Sequence, residues 1–208
     1  MLWLLLAEEK GGFTMNRRQF LCALGSAATA GLAGCTAPWI GPDEPSAPGE
    51  LANPSFEDGL LAWVIGRDMP LDPNTGQYVA SRARSTTEFA SEGERSCELF
   101  VDGRQDDGTI WAQQAADLTD VTRLTFDVYS PEKSANTISR VAAYAGPRPN
   151  RGYLREEHFD TTRAVEDHEG WETVEYPVDA EGIGLVAAGI SVGWETEITR
   201  HVDHVRLS

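Results

Sequence analysis

Short runs of alternating apolar and polar residues fill most of the chain beyond about residue 51. Leu124-Thr125-Phe126-Asp127-Val128-Tyr129 alternates strictly and stops at Ser130-Pro131. That pattern predicts a strand with Leu124, Phe126 and Val128 toward a core and Asp127 and Tyr129 on the other face. Ile138–Tyr144, Trp171–Val178 and Leu185–Trp194 have strand content between turn signals, and Arg200–Leu207 adds a final β pattern. In the first of these, Val141 and Ala143 face in, which turns Arg140 and Tyr144 out. Turn signals fall at Asp58-Gly59, Asn74-Thr75-Gly76, Ser91-Glu92-Gly93, Asp107-Gly108 and Glu181-Gly182. No long amphipathic helix and no internal repeat emerges. The expected fold is all-β, a β-sandwich of jelly-roll type over residues 51–208. The segment from Gly146 to Asp167, rich in charge and carrying Pro147, Pro149 and Gly152, is expected as a long loop of functional kind.

The pattern before this domain is different. Arg17-Arg18 precedes a mildly apolar run, Phe20–Gly34, that ends at Leu32-Ala33-Gly34-Cys35. The run is shorter than the ~20 residues of an ordinary membrane span. The arginine pair resembles a twin-arginine export signal, and Leu-Ala-Gly-Cys resembles a lipobox, with Cys35 as the lipidation site. A buried N-terminal helix that ends at a cysteine is the alternative. On the export reading, residues 1–34 are an address and the chain is held by lipid on the outer face of the cytoplasmic membrane. Met15 makes a natural start, so residues 1–14 read as upstream sequence from a mis-placed start, or else as a longer leading region. Residues 35–50 hold Pro38, Pro42, Pro45 and Pro48 and read as a flexible tether.

Charge narrows the partners. The chain has 33 Asp and Glu against 17 Lys and Arg, a net charge of −16, and Lys133 is the only lysine after the signal. Nucleic acid is excluded as a partner, since its phosphates would be repelled and no basic stripe offsets this. The dispersed carboxylates resemble those of salt-loving archaeal proteins, with an ordinary acidic exported protein as the alternative. Cys97 is alone in the domain, so no disulfide forms within it; it reads as a small buried strand residue and not a nucleophile.

Three segments carry a resemblance. The domain opens with Asn53-Pro54-Ser55-Phe56-Glu57-Asp58-Gly59 and Trp63, has Ala90–Leu99 in its middle, and closes with His201-Val202-Asp203-His204-Val205-Arg206-Leu207. Together with Glu169-Gly170-Trp171, these resemble carbohydrate-binding modules of families four, nine and twenty-two, which have a galactose-binding-like jelly roll. The match covers about residues 51–208. Pro54, Cys97 and His204 depart from the usual glycine, leucine and aspartate. The resemblance implies a structural Ca²⁺ where the two ends meet, with carboxylates from Glu57 and Asp203. Oxygens near Ser55 and from the loop carrying Glu94 and Ser96 would complete it, since calcium takes six to eight hard oxygens.

The resemblance also implies a polysaccharide or glycan partner. Sugar sites pair aromatic rings with directional polar groups. The candidates are Trp111, Gln113, Asp127, Tyr129, Arg140, Tyr144, Tyr153 and Trp194, with Trp111 and Gln113 on one strand face. Trp63 and Trp171 read as core or loop anchors. Glu156-Glu157-His158 and His201-x-x-His204 are the most metal-like clusters, but residues three apart on a strand point to opposite faces. No nucleophile-elbow, zinc-protease or phosphate-loop motif is present. The leading expectation is therefore a surface-anchored, non-catalytic sugar-binding lipoprotein. A structural or protein-interaction jelly roll of the cell envelope is the alternative, and an exported carbohydrate-active enzyme a lesser one.

Overall fold

The computed structural model describes residues 47–104, 107–135, 138–150, 152–193 and 197–208. The expected signal with Cys35, the expected tether up to residue 46, and Trp194 lie outside the described residues. The strands are β1 Val64–Asp68, β2 Ser81–Thr86, β3 Ser96–Asp102, β4 Gly108–Asp117, β5 Arg123–Ser130, β6 Ser139–Gly146, β7 Gly170–Pro177, β8 Ile183–Val192 and β9 Glu197–Leu207. They form a four-stranded sheet, β1-β4-β8-β6, and a five-stranded sheet, β2-β3-β9-β5-β7. All pairings are antiparallel. The fold is the expected all-β sandwich.

Alternation decides which residues meet between the sheets. Leu124, Phe126 and Val128 of β5 are fully buried, and so are Leu99, Ile110, Val141, Ile190 and Val202 from neighbouring strands. Arg140 and Tyr144 point away from that core, as their parity predicts. Strands β4 and β8 break the simple rule. Leu185, Ala187, Trp111 and Ala115 are as buried as their inward-facing neighbours, so the outer face of the four-stranded sheet is covered too. A strand buried on both faces reads as a continuous apolar run, as Leu185–Ile190 does.

The opening motif is architectural. The Asn53 amide donates to the carbonyls of Gly59 and Leu61, and its Oδ1 accepts from Asp58 N–H. Trp63 Nε1 donates to the Asn53 carbonyl at 2.8 Å. Phe56 and Trp63, both buried, pack with ring centroids 5.0 Å apart. Ahead of residue 51, Gly49 N–H donates to the Asp117 carbonyl at the end of β4. Cys97 is fully buried, and burial pushes its thiol up to about 12, so it stays protonated and inert.

Candidate functional site: a groove under the long loop

The long loop after β6 crosses the outer face of the four-stranded sheet and returns. On the way out, Glu156 N–H donates to Asp68 Oδ2 on β1, and Ser191 Oγ on β8 donates to Glu156 Oε1. On the way back the loop pairs with the edge of β6, through Ala143–Asp160 and Val141–Arg163 backbone hydrogen bonds. That pairing also closes an otherwise open strand edge. Glu166 then fastens the loop's end. It accepts from Ser139 Oγ on β6 and from Arg200 Nη2 on β9, both buried, and so ties the loop to both sheets.

Beneath the loop lies Trp111. Its indole lies across Gly66 on β1, and the backbone of β4 runs close to Gly189 on β8. A Cβ at Gly66 would stand 2.2 Å from the ring, and one at Gly189 2.5 Å from Trp111 Cβ. Phe159 and Leu154 of the loop cover the indole from above, with the Phe159 ring 4.8 Å away. Trp111 is therefore 2% exposed. Its Nε1 donates to Gln113 Oε1 at 2.5 Å, so the predicted pair exists. The pair lies under the loop, and the indole is no open platform.

Openness shifts to the loop's own crest. A groove of about 700 Å³ runs between Tyr144 and Tyr153, lined also by Arg148, Asn150, Arg155, Glu157 and His158. A second, of about 440 Å³, lies between Tyr153 and Tyr78. Tyr144 is held by its hydroxyl donating to the Pro147 carbonyl. Burial pushes that phenol's pKa up, so it stays protonated. Tyr153 is 48% exposed, with Arg155 stacked 5.1 Å from its centroid and donating to its hydroxyl at 3.0 Å. Two rings with guanidinium, amide and carboxylate neighbours in one open groove make a set of sugar-type contacts.

In overall fold the chain is similar to carbohydrate-binding modules. One is a family 61 module in complex with β-1,4-galactotriose, at 16% identity and a TM-score of 0.45, covering 77% of this chain and 97% of that one. Another is the family 11 module from Clostridium thermocellum in complex with a β-1,3-1,4-mixed-linked tetrasaccharide, also at 16% and 0.45, covering 78% and 96%. The enzymatically active domain of bacteriophage CBA120 tailspike protein 4 overlaps at 8% identity and 0.50, covering 77% of this chain and 21% of that one. No family model and no curated protein matches the chain.

The other candidates divide between two faces. Arg140 and Tyr144 share the loop-covered face, where Arg140 Nη1 donates to the Thr162 carbonyl. Asp127 and Tyr129 belong to the outer face of the five-stranded sheet. Tyr129 stacks on Phe89 at 4.3 Å and meets Trp171 at 5.4 Å and His201 at 5.8 Å. Register places Arg84, Glu98, His201, Tyr129 and Trp171 in one row across all five strands. Glu98, 2% exposed, accepts two hydrogen bonds from Arg84 and one from Arg82. Trp171 is thus a half-buried member of a surface row, and Trp63 is the core anchor.

Of the residues expected at a calcium ion, Glu57 and Asp203 hold the same turn and Ser55 bonds to it through Glu92. Asp203 Oδ2 accepts from Ser91 N–H at 2.8 Å, Ser91 Oγ at 3.1 Å and Glu92 N–H at 3.1 Å. Glu57 Oε1 accepts from Glu94 and Arg95 N–H at 3.0 and 2.9 Å. Carboxylates from the two ends of the domain therefore hold one turn, around Gly93 at φ +68°. Ser55 Oγ donates to Glu92 Oε2, which His204 Nε2 also approaches at 3.1 Å. Ser96 faces elsewhere, bonded to the Phe89 carbonyl and His201. Hard oxygens are present, but as placed they take N–H donors. Among the described residues no group of three or more Asp, Glu, His or Cys side chains is gathered for a metal.

The clusters that look metal-like in sequence disperse. Glu156 turns to Ser191, Glu157 lines the groove, and His158 Nδ1 accepts Arg155 N–H. His204 sits at φ 50°, where β9 shifts register against β5, so simple alternation fails there. Arg148, Asn150 and Arg155 are groove residues that strand parity could not find. Their signal was the loop itself, whose charge and length mark function without giving a face.

Proposed function

We propose that this protein is a non-catalytic carbohydrate-binding lipoprotein of the cell surface. The groove between Tyr144 and Tyr153 carries the proposal: two rings offer apolar stacking faces while Asn150, Arg148, Arg155 and Glu157 offer directed hydrogen bonds. Glu157 is the one carboxylate among the groove's described lining residues. A glycosidase needs two facing carboxylates, so this lining suits binding better than hydrolysis. A glycan array read at high salt tests the reading. Retention of a defined glycan set, lost in Tyr153→Ala, is expected, and equal response to every polysaccharide overturns it.

One observation favours the alternative of an envelope interaction domain without a sugar cleft. The broad floor around Trp111 is covered by Leu154 and Phe159, which narrows the space a glycan could use. Recovery of envelope proteins on the immobilised domain, with no glycan retained, would favour that alternative.

Anchoring is proposed on the order of Arg17-Arg18, apolar run and Cys35. Cys35→Ser is expected to release the protein from membranes; unchanged membrane retention overturns it. Calcium is proposed at the Glu57–Asp203 junction, where Ser55 and Glu92 add oxygens. An ion there would have to displace turn N–H groups from the carboxylates. A melting temperature that rises with added calcium supports it, and one that is unmoved by calcium or chelator overturns it.

A further inference from the structure

Arg155, the guanidinium stacked on Tyr153, also lies against Asp68, Glu156 and Glu157, so its charge is balanced where it stands. A neutral ligand suits such a lining. A smaller hollow of about 220 Å³ adjoins the groove, and Tyr144 and His158 line both. Pockets for whole small-molecule ligands run to ~300–1,000 Å³, so this hollow fits one substituent and not a sugar chain. Both sheets and the loop build it. Leu124 of β5, Ala143 and Ala145 of β6 and Pro177 of β7 make its apolar lining, and Tyr176 of β7 and Asp160 of the loop add polar groups.

Tyr176 is 7% exposed, and its hydroxyl is buried with no hydrogen-bond partner among the described residues. Buried hydroxyls nearly always have one, because a donor left unpaired is costly. Burial pushes this phenol's pKa up to about 12, and the nearby Asp160 carboxylate adds to the effect, so it stays an O–H donor. Asp160 Oδ1 accepts from Thr162 N–H and Oγ1, while its Oδ2 accepts from no described residue. His158 Nδ1 takes the Arg155 backbone N–H, which leaves Nε2–H as a donor in the neutral ring. The hollow therefore combines two donors, one acceptor and an apolar lining.

We propose that this hollow seats the acetamido group of an N-acetylated sugar whose ring stacks on Tyr144. This rests on the glycan-binding reading. The acetamido carbonyl accepts from the Tyr176 hydroxyl or His158 Nε2–H, its N–H donates to Asp160 Oδ2, and its methyl meets the apolar lining. A sugar with a hydroxyl at that position lacks the methyl and the carbonyl. A site built to hydrogen-bond one group rejects the analogue that lacks it, because its own buried polar group is then left unpaired.

The test is calorimetric titration of the purified full-length protein with two matched pairs of β-1,4-linked tetramers. One pair is N-acetylglucosamine and glucose; the other is N-acetylgalactosamine and galactose. At least one N-acetylated tetramer is expected to bind about tenfold tighter than its hydroxyl counterpart. Tyr176→Phe removes only the unpaired hydroxyl; it is expected to keep the melting temperature and the binding of the counterpart, and to erase most of the preference. Ala145→Leu, which fills the hollow, is expected to erase the preference as well. Equal binding within each pair overturns the acetamido selection and leaves glycan binding standing. Binding of none of the four also overturns the selection, and if an array retains no glycan either, both readings fall. A preference that survives both substitutions overturns the assignment to this hollow.

Discussion

The two sheets cover their outer faces in different ways. The five-stranded sheet covers its own: Arg82 and Arg84 fold over Glu98, and Phe89, Tyr129, His201 and Trp171 pack ring against ring. The four-stranded sheet has small residues in the matching place, Ala142, Ala187 and Gly189, and borrows a loop to fill the space. Side chains that cover a sheet leave it nearly flat. A loop that covers a sheet has a crest and flanks, and the grooves lie there. The groove between Tyr144 and Tyr153 is thus shaped by the loop, and the sheet supplies only a floor.

If that is right, the loop's fastening matters most. Glu166→Ala leaves the buried Arg200 guanidinium and the Ser139 hydroxyl without their acceptor. A loss of ~3–5 kcal/mol in denaturant unfolding is expected, as for other broken buried pairs. A loss below ~1 kcal/mol, the level of an exposed pair, would show that the loop does not depend on it. Next in size is Phe159→Ala, which opens a cavity over Trp111 and is expected to cost about 3 kcal/mol. Its check is a red-shifted, more quenchable tryptophan emission, and unchanged emission would mean that the indole has other cover.

Smaller effects separate binding from stability. Tyr153→Ala is expected to weaken glycan affinity about tenfold and to leave stability within ~0.5 kcal/mol. Trp171→Ala, on the other face, is expected to leave affinity unchanged. If Trp171→Ala weakened glycan binding and Tyr153→Ala did not, the roles of the two faces would be reversed. The smallest effect is in acid. The hydrogen bond from Arg84 holds the Glu98 carboxyl below its ordinary 4.5, against the opposing effect of burial, with Arg82 assisting. The folded pKa is the lower one, so this stabilisation is present above 4.5 and is lost as pH falls through the folded value. Arg84→Gln should move the acid-unfolding midpoint, followed by circular dichroism, slightly upward; no movement would mean that Arg82 alone suffices.

Much of this was legible in the sequence, and the misses have physical causes. Strand parity placed Phe126 and Val128 inside, Tyr144 outside, and Trp111 beside Gln113, because a half-buried strand has a strict period of two. Parity says which side of a strand a residue takes and nothing about which sheet the strand joins. Parity alone therefore does not separate Asp127 and Tyr129 from Arg140 and Tyr144, although the sandwich puts the pairs on opposite outer surfaces. The end motifs did bring Glu57 and Asp203 to one turn, but which atoms they bind depends on loop geometry that no spacing encodes. Trp111 shows the same limit: exposure depends on what a distant loop lays over it.

The seat of Trp111 has one more consequence, for how the sequence can change over generations. Its indole occupies space that exists only because position 66 carries no side chain, while glycine at 189 makes room for the Ile110–Trp111 backbone of β4. The three residues come from three different strands and act as one unit of inheritance. A lineage that gains even a methyl group at 66 must first shorten the tryptophan, and the loop above then loses the surface on which Phe159 rests; one that gains it at 189 must move the β4 backbone. Change in this scaffold is therefore reached more readily through the crest, where Tyr153 is coupled only to flexible neighbours such as Arg155, than through the floor, where a glycine and the tryptophan must change together.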